Sequence, residues 1–415
     1  MTITIHRGTV QIGGCVTEYS CKGWRLFVDY GEQLPGSPKS KPLAIEGLTT
    51  GDLTRSALLI THYHGDHVGC IKDLPKELPL FMGEQGKAIQ LALSEYLSYA
   101  DGDQDRVIER LNAAKGFRPG SPFSIGPFEI LPVTVDHSAF DAYAFKIRAD
   151  GVTVFHSGDF RTHGFRSGKW DKLLDAYVGP VDYVVCEGTN VSRPEATSLT
   201  ERALQQLFEE AIRQKIGHVV YVSSTNIDRL FSLYQAALRA DMPFLVDAYQ
   251  KRIMDIVAKR DSLWSKAELY RYGKYEPRVL FRDEEGFAFN DRFLETIRNK
   301  GYVLIARANS RFNKLIAELP GQKKKYLAMW KGYLDNKLDA YNESLARALG
   351  DDYVYLHTSG HCDMKRMRDW FRILRPKGVI PIHTDSPDRF AELFGDEWSI
   401  IRLSDGQRCS LAALS

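Results

Sequence analysis

The sequence predicts an α/β protein in which a second α/β unit is inserted into the first. Short strand-like runs, broken by Gly and Asp turns, dominate the first part of the chain. After "VSRPEAT" strand and helix alternate, which is typical of a parallel sheet with helical crossovers. A further alternation near the end of the chain returns to the first unit. We therefore expect a discontinuous domain, 1–190 and 351–415, and an inserted domain, 191–350.

The first unit is expected to consist mainly of strands. The predicted strands are "TITIH", "VQIGG", "WRLFVDYG", "ALLITH", "FEILPVTVDH", "AYAFKIRAD", "VTVFHSGD" and "VDYVVCEG". One helical stretch, around 83–115, separates the first four from the others. Near the end of the chain, "DYVYLHTS" and "GVIPIH" read as strands around a helix near 363–374. The stretch "SIIRLS-DGQR-CSLAAL" reads as a terminal hairpin.

The inserted unit begins with a recognisable helix signal. Ser198 and Glu201 form a capping-box pattern, Ser-x-x-Glu, in front of an amphipathic run. The strands "HVVYVS", "PFLVDA" and "YVLIAR" then alternate with helices, one of them at about 227–240. The charged segment 322–350 is less regular.

Composition excludes several classes of protein. Lys+Arg 55 against Asp+Glu 53 gives a net charge of +2, which is too small to indicate nucleic-acid binding by itself. No apolar run approaches a membrane span, and the start lacks a signal-peptide core, so we expect no membrane association. The six cysteines are scattered without a Cys-x-x-Cys pair, which favours a reduced, cytoplasmic protein.

The stretch "THYHGDHVGC", residues 61–70, predicts a metal site. His62 and His64 are two residues apart after a buried strand, so both side chains point the same way. Asp66 and His67 follow at a turn. Histidine nitrogen with carboxylate oxygen is a zinc-type ligand set. The first pair could bind one ion while the second pair turns toward another.

Further polar residues recur in the same context, at the end of an apolar strand. Ligand sites in α/β sheets form beyond the carboxyl ends of strands, so this repeated placement indicates a common site. The residues are Asp29, His137, Asp159, Glu187, His361 and His383.

These motifs resemble a known superfamily. "HYHGDH" is similar to the His-x-His-x-Asp-His motif of the metallo-β-lactamase fold, and Asp29, His137 and Asp159 follow the order of its other motifs. The resemblance extends to the β-CASP nucleases through "CEGTN", "SGHCD" and "PIHTD", which contain Glu187, His361 and His383. It implies a metallo-β-lactamase αββα sandwich with an inserted α/β β-CASP domain.

The resemblance also implies a zinc-dependent hydrolase with two metal ions, for which Mn²⁺ or Mg²⁺ could substitute. The first zinc ion would be held by His62, His64 and His137, the second by Asp66, His67 and His383, with Asp159 bridging them. The ions would activate a shared hydroxide for attack on a phosphodiester. Asp66, His361 and Glu187 would be catalytic: His361 would protonate the leaving oxygen and Glu187 would orient it. Asp29 would orient a ligand rather than bind metal.

The expected substrate is single-stranded RNA, cleaved in exo mode, endo mode or both. "SSTNIDRL" resembles a Ser-Asn-x-x-Arg segment of ribonuclease J-like members, which makes Asn226 and Arg229 candidates for contacts with the RNA backbone. A histidine at the position of His383 is typical of RNA-directed members. "ARANSRFNKL" departs from the Gln-Gly-Glu-containing segment of that family, so we assign no nucleotide contact there. We expect no counterpart of the ribonuclease J C-terminal domain, so oligomerisation is possible but dimer formation through that domain is not assumed.

Three alternatives remain at this point. A DNA-directed nuclease of the same family differs only in the argument from His383. A small-molecule metallohydrolase of the same fold would need neither the inserted domain nor His361. A catalytically inactive RNA-binding member would be expected to have lost metal ligands, all of which are present.

Overall fold

A computed structural model describes residues 1–34, 43–195, 198–259, 268–281, 289–334 and 341–413. The chain divides into two compact units. Unit one comprises 1–162, 166–197 and 360–415, and unit two comprises 163–165 and 198–359. These divisions fall several residues after the domain limits expected from the sequence, 190/191 and 350/351. No helix among the described residues is both long and apolar enough to span a bilayer.

The first segment supplies most of unit one. Its strands and helices are β1 (Thr2–Arg7), β2 (Val16–Cys21), β3 (Trp24–Val28), β4 (Ser56–Ile60), α1 (Gly65–Val68), β5 (Leu80–Gly83), α2 (Glu84–Leu97), α3 (Asp103–Ala113), β6 (Lys115–Phe117), β7 (Phe123–Ile125), β8 (Phe128–Val135), β9 (Ala142–Ala149), β10 (Val152–His156), α4 (Trp170–Leu173) and β11 (Tyr183–Glu187).

Unit two follows with alternating helices and strands. They are α5 (Glu201–Ala211), β12 (Gly217–Tyr221), α6 (Ile227–Arg239), β13 (Phe244–Val246), α7 (Ala248–Ala258), β14 (Arg278–Val279), α8 (Asp291–Lys300), β15 (Tyr302–Ala306), α9 (Ser310–Glu318), β16 (Lys323–Leu327), α10 (Glu343–Leu349) and β17 (Val354–Tyr355). The chain then returns to unit one with α11 (Met364–Leu374), β18 (Gly378–Ile382), α12 (Pro387–Phe394) and β19 (Arg408–Ser410).

Unit one is a sandwich of two sheets. The first has the strand order β19-β1-β2-β3-β4-β5-β6 and the second β18-β11-β10-β9-β8-β7. Apolar residues from both sheets share one core, in which Leu59 of β4 and Val154 of β10 are fully buried. Helices α2 and α3 pack on β5, and α12 packs on β18. Phe155, next to Val154 and therefore on the other face of β10, contacts Trp370 of α11. This helix–sheet–sheet–helix layering confirms the predicted fold class.

Unit two is built around one sheet, ordered β14-β13-β15-β12-β16-β17, in which all neighbouring strands pair in parallel. The predicted parallel sheet with helical crossovers is thereby confirmed. Val219, Leu304 and Phe312 lie in its core. Segment 322–350, expected to be irregular, supplies β16 and α10.

Three local predictions were wrong, and a fourth, the helical stretch 83–115, was confirmed but incomplete. "VQIGG" is not a strand, because Gly13 and Gly14 have φ of +76° and +64°; the strand is β2, which follows it. The helical stretch 83–115 is two helices, α2 and α3. The cap of α5 is Thr200, whose hydroxyl accepts from the main chain of Ala203, rather than Ser198. The terminal hairpin does not form: β19 pairs with β1, and Ile400 bridges to Val379 of the other sheet.

Candidate metal centre

The site residues of unit one follow strands whose carboxyl ends share one edge of a sheet. Strands β10, β11 and β18 are adjacent and parallel, and β8 is antiparallel to β9, which is antiparallel to β10. His137, Asp159, Glu187 and His383 therefore emerge from the same edge. The stretch 61–67 follows β4, all of whose residues are buried.

Three histidines form the first group. The Nε2 atoms of His62 and His137 each lie 3.1 Å from Nδ1 of His64. Ligand atoms arranged tetrahedrally about 2.0–2.1 Å from one zinc ion are about 3.3 Å apart, so these three nitrogens fit a common ion. Together they form a candidate metal-binding group.

Hydrogen bonds set the ring orientations in this group. His137 donates from Nδ1 to the carbonyl oxygen of Gly360 (2.6 Å), which leaves Nε2 as a lone-pair donor. The Thr61 hydroxyl donates to Asp29 Oδ2 (2.8 Å) and lies 3.0 Å from His62 Nδ1, whose proton it can accept. His62 Nε2 is then unprotonated and directs its lone pair toward His64 and His137.

Burial keeps these imidazoles neutral. It lowers the pKa of His62 and of His137 well below the usual value, and the neighbouring histidines lower both further. The same burial lowers the pKa of His64 to about 4. Neutral imidazole is the form that binds a metal ion.

The second group contains two histidines and two carboxylates. Oδ2 of Asp159 lies 3.2 Å from His67 Nε2 and 3.6 Å from His383 Nε2. Oδ2 of Asp66 lies 3.2 Å from His383 Nε2 and 3.6 Å from His67 Nε2. All four distances match the ligand-to-ligand spacing of a tetrahedral zinc site. Nε2 of His67 is buried and has no aligned hydrogen-bond partner in the described part of the chain.

The outer nitrogens of this group are also held. His67 donates from Nδ1 to Asp29 Oδ2 at 2.8 Å, and His383 Nδ1 lies 2.8 Å from the hydroxyl of Thr189. Both Nε2 atoms consequently face Asp66 and Asp159. The donor chemistry of both groups thus fits divalent metal ions.

The electrostatics of the second group also favour a cation. Although burial opposes it, the carboxylates of Asp159, Asp66 and Asp29 raise the pKa of His67 well above its usual value. Burial would likewise raise the pKa of Asp66, but His67 and His383 lower it to about 2. Clustered negative charge is therefore compensated by protons on histidine when no metal is bound, and a cation could replace them.

His361 lies beside the second group. Its Nδ1 is 3.0 and 3.1 Å from the two carboxylate oxygens of Glu187 and 3.8 Å from Asp159 Oδ2. Burial alone would lower the pKa of His361, but Glu187 and then Asp159 raise it to about 9. The side chain of Asn190 donates to the main-chain oxygens of His361 and Cys362. His361 is therefore positioned through both its ring and its backbone.

Two residues of the site adopt left-handed backbone conformations. Asp29 has φ of +61° and His383 has φ of +51°, although neither is glycine. Such conformations are strained for these residues and persist where the surroundings impose them. The main chain of Asp29 donates to Leu59, and that of His383 to Gly8. The fold thus imposes the direction of both side chains.

Close backbone packing supports the 64–67 segment. Gly14 donates to the carbonyl of Asp66, and Tyr30 donates to that of His67. A Cβ atom on Gly31 would lie 1.8 Å from the carbonyl oxygen of Asp66, so only glycine fits there. Substitution at Gly31 would displace a metal-binding segment.

The structure brings the residues predicted from unit one into a single cluster. These residues are Asp29, His62, His64, Asp66, His67, His137, Asp159, Glu187, His361 and His383. Sequence reasoning missed Thr61, Thr189, Asn190 and the carbonyl of Gly360. Thr61 and Thr189 each lie within two residues of a predicted site residue, which was a usable signal. The carbonyl of Gly360 carries no side-chain signal at all.

The candidates for RNA contact lie in unit two. Asn226 caps α6 by accepting from the main chain of Arg229. Arg229 is buried, binds both carboxylate oxygens of Glu201 at 2.9 and 3.0 Å, and donates to the carbonyls of Ala328 and Leu356. The structure therefore contradicts the predicted phosphate contact of Arg229, because its guanidinium is hydrogen-bonded to buried partners within its own unit.

Comparisons with known proteins agree with this geometry. Residues 40–219 match a family described as the beta-lactamase superfamily domain, and residues 353–400 match one described as the Zn-dependent metallo-hydrolase RNA specificity domain. Ribonuclease J of Sinorhizobium meliloti is 24% identical over 92% of this chain and 67% of its own length. Ribonuclease J of Helicobacter pylori is 22% identical over 79% of this chain and 47% of its own length, so this chain aligns with about half of that relative.

A solved structure shares the fold. A protein of unknown function from Enterococcus faecalis V583 superimposes with a TM-score of 0.73 at 18% identity, covering 98% of this chain and 99% of its own. The two matched families and the ribonuclease J relatives place the chain in the metallo-β-lactamase superfamily, a class of metal-dependent hydrolases. Within that class, the chain is similar to the ribonuclease J proteins.

Proposed function

We propose that this protein is a zinc-dependent ribonuclease that binds two metal ions and hydrolyses single-stranded RNA. The observation that carries the proposal is the convergence in unit one of a group of three histidines and a group of two histidines and two carboxylates. A third group overlaps the second, since it contains Asp159 and His383 together with Glu187 and His361. In this proposal unit one is the metallo-β-lactamase domain and unit two is the β-CASP domain.

The choice of RNA rests on two supports. The segment matched to the RNA specificity domain, 353–400, contains both His361 and His383. The curated relatives cited above carry the name ribonuclease J. The histidine at position 383 agrees with both, since the resemblance to RNA-directed family members includes it.

Charge supports two divalent ions. Asp29, Asp66, Asp159 and Glu187 are carboxylates buried or nearly buried within the cluster, with a formal charge of −4. Protonated His361 offsets one of these charges, since Glu187 raises its pKa despite burial, and divalent cations would neutralise the remainder. Uncompensated buried charge is strongly unfavourable. When bound, such ions supply a nucleophilic water near neutral pH and stabilise charge on phosphate oxygens.

The ligand assignment follows the two groups. His62, His64 and His137 would hold the first ion, and Asp66, His67 and His383 the second. Asp159 lies within the second group and is our candidate for the residue shared by both ions. Thr61, Asp29 and Thr189 orient the histidine rings so that the lone pairs face inward.

His361 is the candidate acid. Its Nδ1 bonds to Glu187, so the other ring nitrogen can hold a proton for the leaving oxygen of the scissile phosphodiester. Glu187 also accepts from the main chains of Phe160 and Thr189. The carboxylate is therefore fixed, and it keeps the imidazole ring in one orientation.

Digestion of labelled RNA tests the proposal. Zinc-loaded protein would be given matched RNAs bearing a 5′-monophosphate, a 5′-triphosphate or an internal label, and the same sequence as single-stranded DNA. We expect cleavage of RNA and loss of cleavage in the His62→Ala, Asp66→Ala double variant. His361→Ala should lower kcat by roughly 10²- to 10⁴-fold while zinc remains bound.

His6→Ala is the matched control, since His6 pairs with Glu18 outside the cluster. It should retain wild-type cleavage. Full activity of the His62→Ala, Asp66→Ala variant would refute the site. Equal cleavage of the DNA would replace the ribonuclease assignment with the DNA-directed alternative. The pattern of labelled products would establish exo or endo mode and the preferred 5′ end.

A further inference from the structure

A buried cluster of three charges lies directly behind His137. It consists of Asp136, Arg161 and Arg166, whose side chains are 0%, 0% and 4% exposed. Asp136 immediately precedes His137 in the chain, and Arg161 lies two residues after Asp159. The cluster thus joins the segment of one candidate ligand to the segment of another.

Arg161 connects the two segments through its backbone and its side chain. Its main-chain N–H donates to the carbonyl of Asp136 at 2.7 Å, and its Nε donates to Asp136 Oδ1 at 3.2 Å. The two residues also form an isolated antiparallel β-bridge.

Arg166 holds the backbone of His137 itself. One guanidinium nitrogen donates to the carbonyl of His137 at 2.5 Å and to that of Ala139 at 3.2 Å, and it lies 3.7 Å from Asp136 Oδ1. The guanidinium also lies over the ring of Phe140, 5.0 Å from its centroid. The side chain of Arg166 therefore contacts the main chain of His137 and residues on both sides of it.

Stability is a weak explanation for such a cluster. Buried ion pairs often stabilise a fold no better than apolar residues of similar size, because desolvation offsets the attraction. An arginine that binds backbone carbonyls does, however, determine where a loop lies. His137 is then restrained from two sides, through its ring by Gly360 and through its carbonyl by Arg166.

We infer that Arg166, supported by Asp136 and Arg161, is a positioning residue that holds His137 Nε2 in place to bind the first metal ion. The inference rests on the metal site of the proposed function, but it does not depend on which substrate is cleaved. It assigns to three buried residues a role in metal affinity although none of them can touch the ion.

Zinc affinity provides the test. Zn²⁺ binding by wild type, Arg166→Lys and Arg166→Met would be measured by competition with a chelating indicator. Substitution of residues that orient a metal ligand typically weakens metal binding by roughly 10- to 100-fold. We expect a loss of this size for Arg166→Met, at one of the two proposed zinc sites. Arg166→Lys keeps the charge beside Asp136 and should recover part of the loss. In a His137→Ala background, neither change should weaken zinc binding further.

Arg110→Lys is a matched control. Arg110, on α3, is also a buried arginine, and it donates to the carbonyl oxygens of Lys76 and Leu78. This variant should lower the free energy of unfolding without changing zinc affinity. Free energies of unfolding of all variants would be measured without metal, so that loss of stability is separated from loss of affinity.

Three outcomes would overturn the inference: unchanged zinc affinity in Arg166→Met, an equal additional loss in the His137→Ala background, or absence of zinc binding by the wild type. A wild type that binds zinc but cleaves no RNA would refute the proposed function alone. In that case, the zinc affinities of wild type and Arg166→Met would still test whether Arg166 positions His137.

Discussion

Asp29 shows how one carboxylate can serve two ligand groups at once. Its Oδ1 accepts from the main chain of Thr61 at 2.7 Å, and its Oδ2 accepts from both the Thr61 hydroxyl and His67 Nδ1 at 2.8 Å. Through the hydroxyl it also determines the tautomer of His62. At the scale of single residues, the proposed metal centre therefore depends on hydrogen bonds made by Asp29 and Thr61, which we do not assign as ligands.

Replacement of Asp29 by Asn tests this dependence. An amide nitrogen cannot accept from His67, so we expect zinc binding to weaken by roughly 10- to 100-fold. Thr61→Val, which leaves the bond between Asp29 and His67, should affect only the ion that His62 is proposed to hold. Zinc competition titrations would measure both variants. Asp105→Asn, on the exposed side of α3, is the control, and unchanged affinity in Asp29→Asn would contradict this role.

Arg229 allows a second test at the residue scale. Arg229→Met removes the guanidinium that pairs with buried Glu201, and we expect the free energy of unfolding to fall by roughly 3–5 kcal/mol. The dependence of RNA binding on salt should stay unchanged, because a buried guanidinium neutralises no phosphate.

Denaturant unfolding and RNA binding at several salt concentrations would measure these effects. The double variant Glu201→Gln, Arg229→Met serves if the single variant folds poorly. If the slope of log K for RNA binding against log salt is about 0.7 shallower in Arg229→Met than in the wild type, Arg229 contacts a phosphate after all.

Helix ends illustrate the scale of elements. Most helices of unit two begin with a short polar side chain that accepts from the third helical residue. These caps are Thr200, Asn226, Asp247, Asn290, Asn309 and Asn342. Three of these caps, Asn226, Asp247 and Asn309, come within five residues of the end of a strand. A strand followed closely by a short polar residue is therefore a local signal for the start of the next helix.

The start of α5 provides the matching prediction. Thr200→Ala should lower the free energy of unfolding by about 1 kcal/mol, since the main chain of Ala203 loses its acceptor. Ser198→Ala should leave it within about 0.5 kcal/mol, as for a surface substitution. Denaturant unfolding distinguishes the two, and the reverse order of effects would favour the capping box expected from sequence.

At the scale of the whole molecule, the metal centre connects distant parts of the sequence. Within unit one it joins residues from Asp29 to His383, and the amino-terminal strand β1 pairs with β19 near the other end of the chain. Ligand binding to the folded state alone stabilises it by mass action, so bound metal should stabilise this arrangement.

Metal removal tests that expectation. Treatment with a strong chelator should lower the midpoint of thermal unfolding and abolish RNA cleavage, and added Zn²⁺ should restore both. At a free zinc concentration 100 times Kd, one site contributes about 2.7 kcal/mol. The His62→Ala, Asp66→Ala variant should respond little to the chelator. A wild-type unfolding midpoint insensitive to the chelator would argue against metal binding.

By itself the sequence determined the ligand types, their order and the alternation of strand and helix. "THYHGDHVGC" after an apolar strand predicts a metal site because these features are local, and the polar strand ends predict a shared edge. Only the tertiary structure decided which residues meet. It paired β19 with β1, buried Arg229 against Glu201, and placed Thr61, Thr189 and Gly360 behind the ligands. Apart from the contact between Thr61 and His62, these contacts join residues far apart in the chain, and a local sequence pattern does not encode the partner of a strand edge or a buried charge.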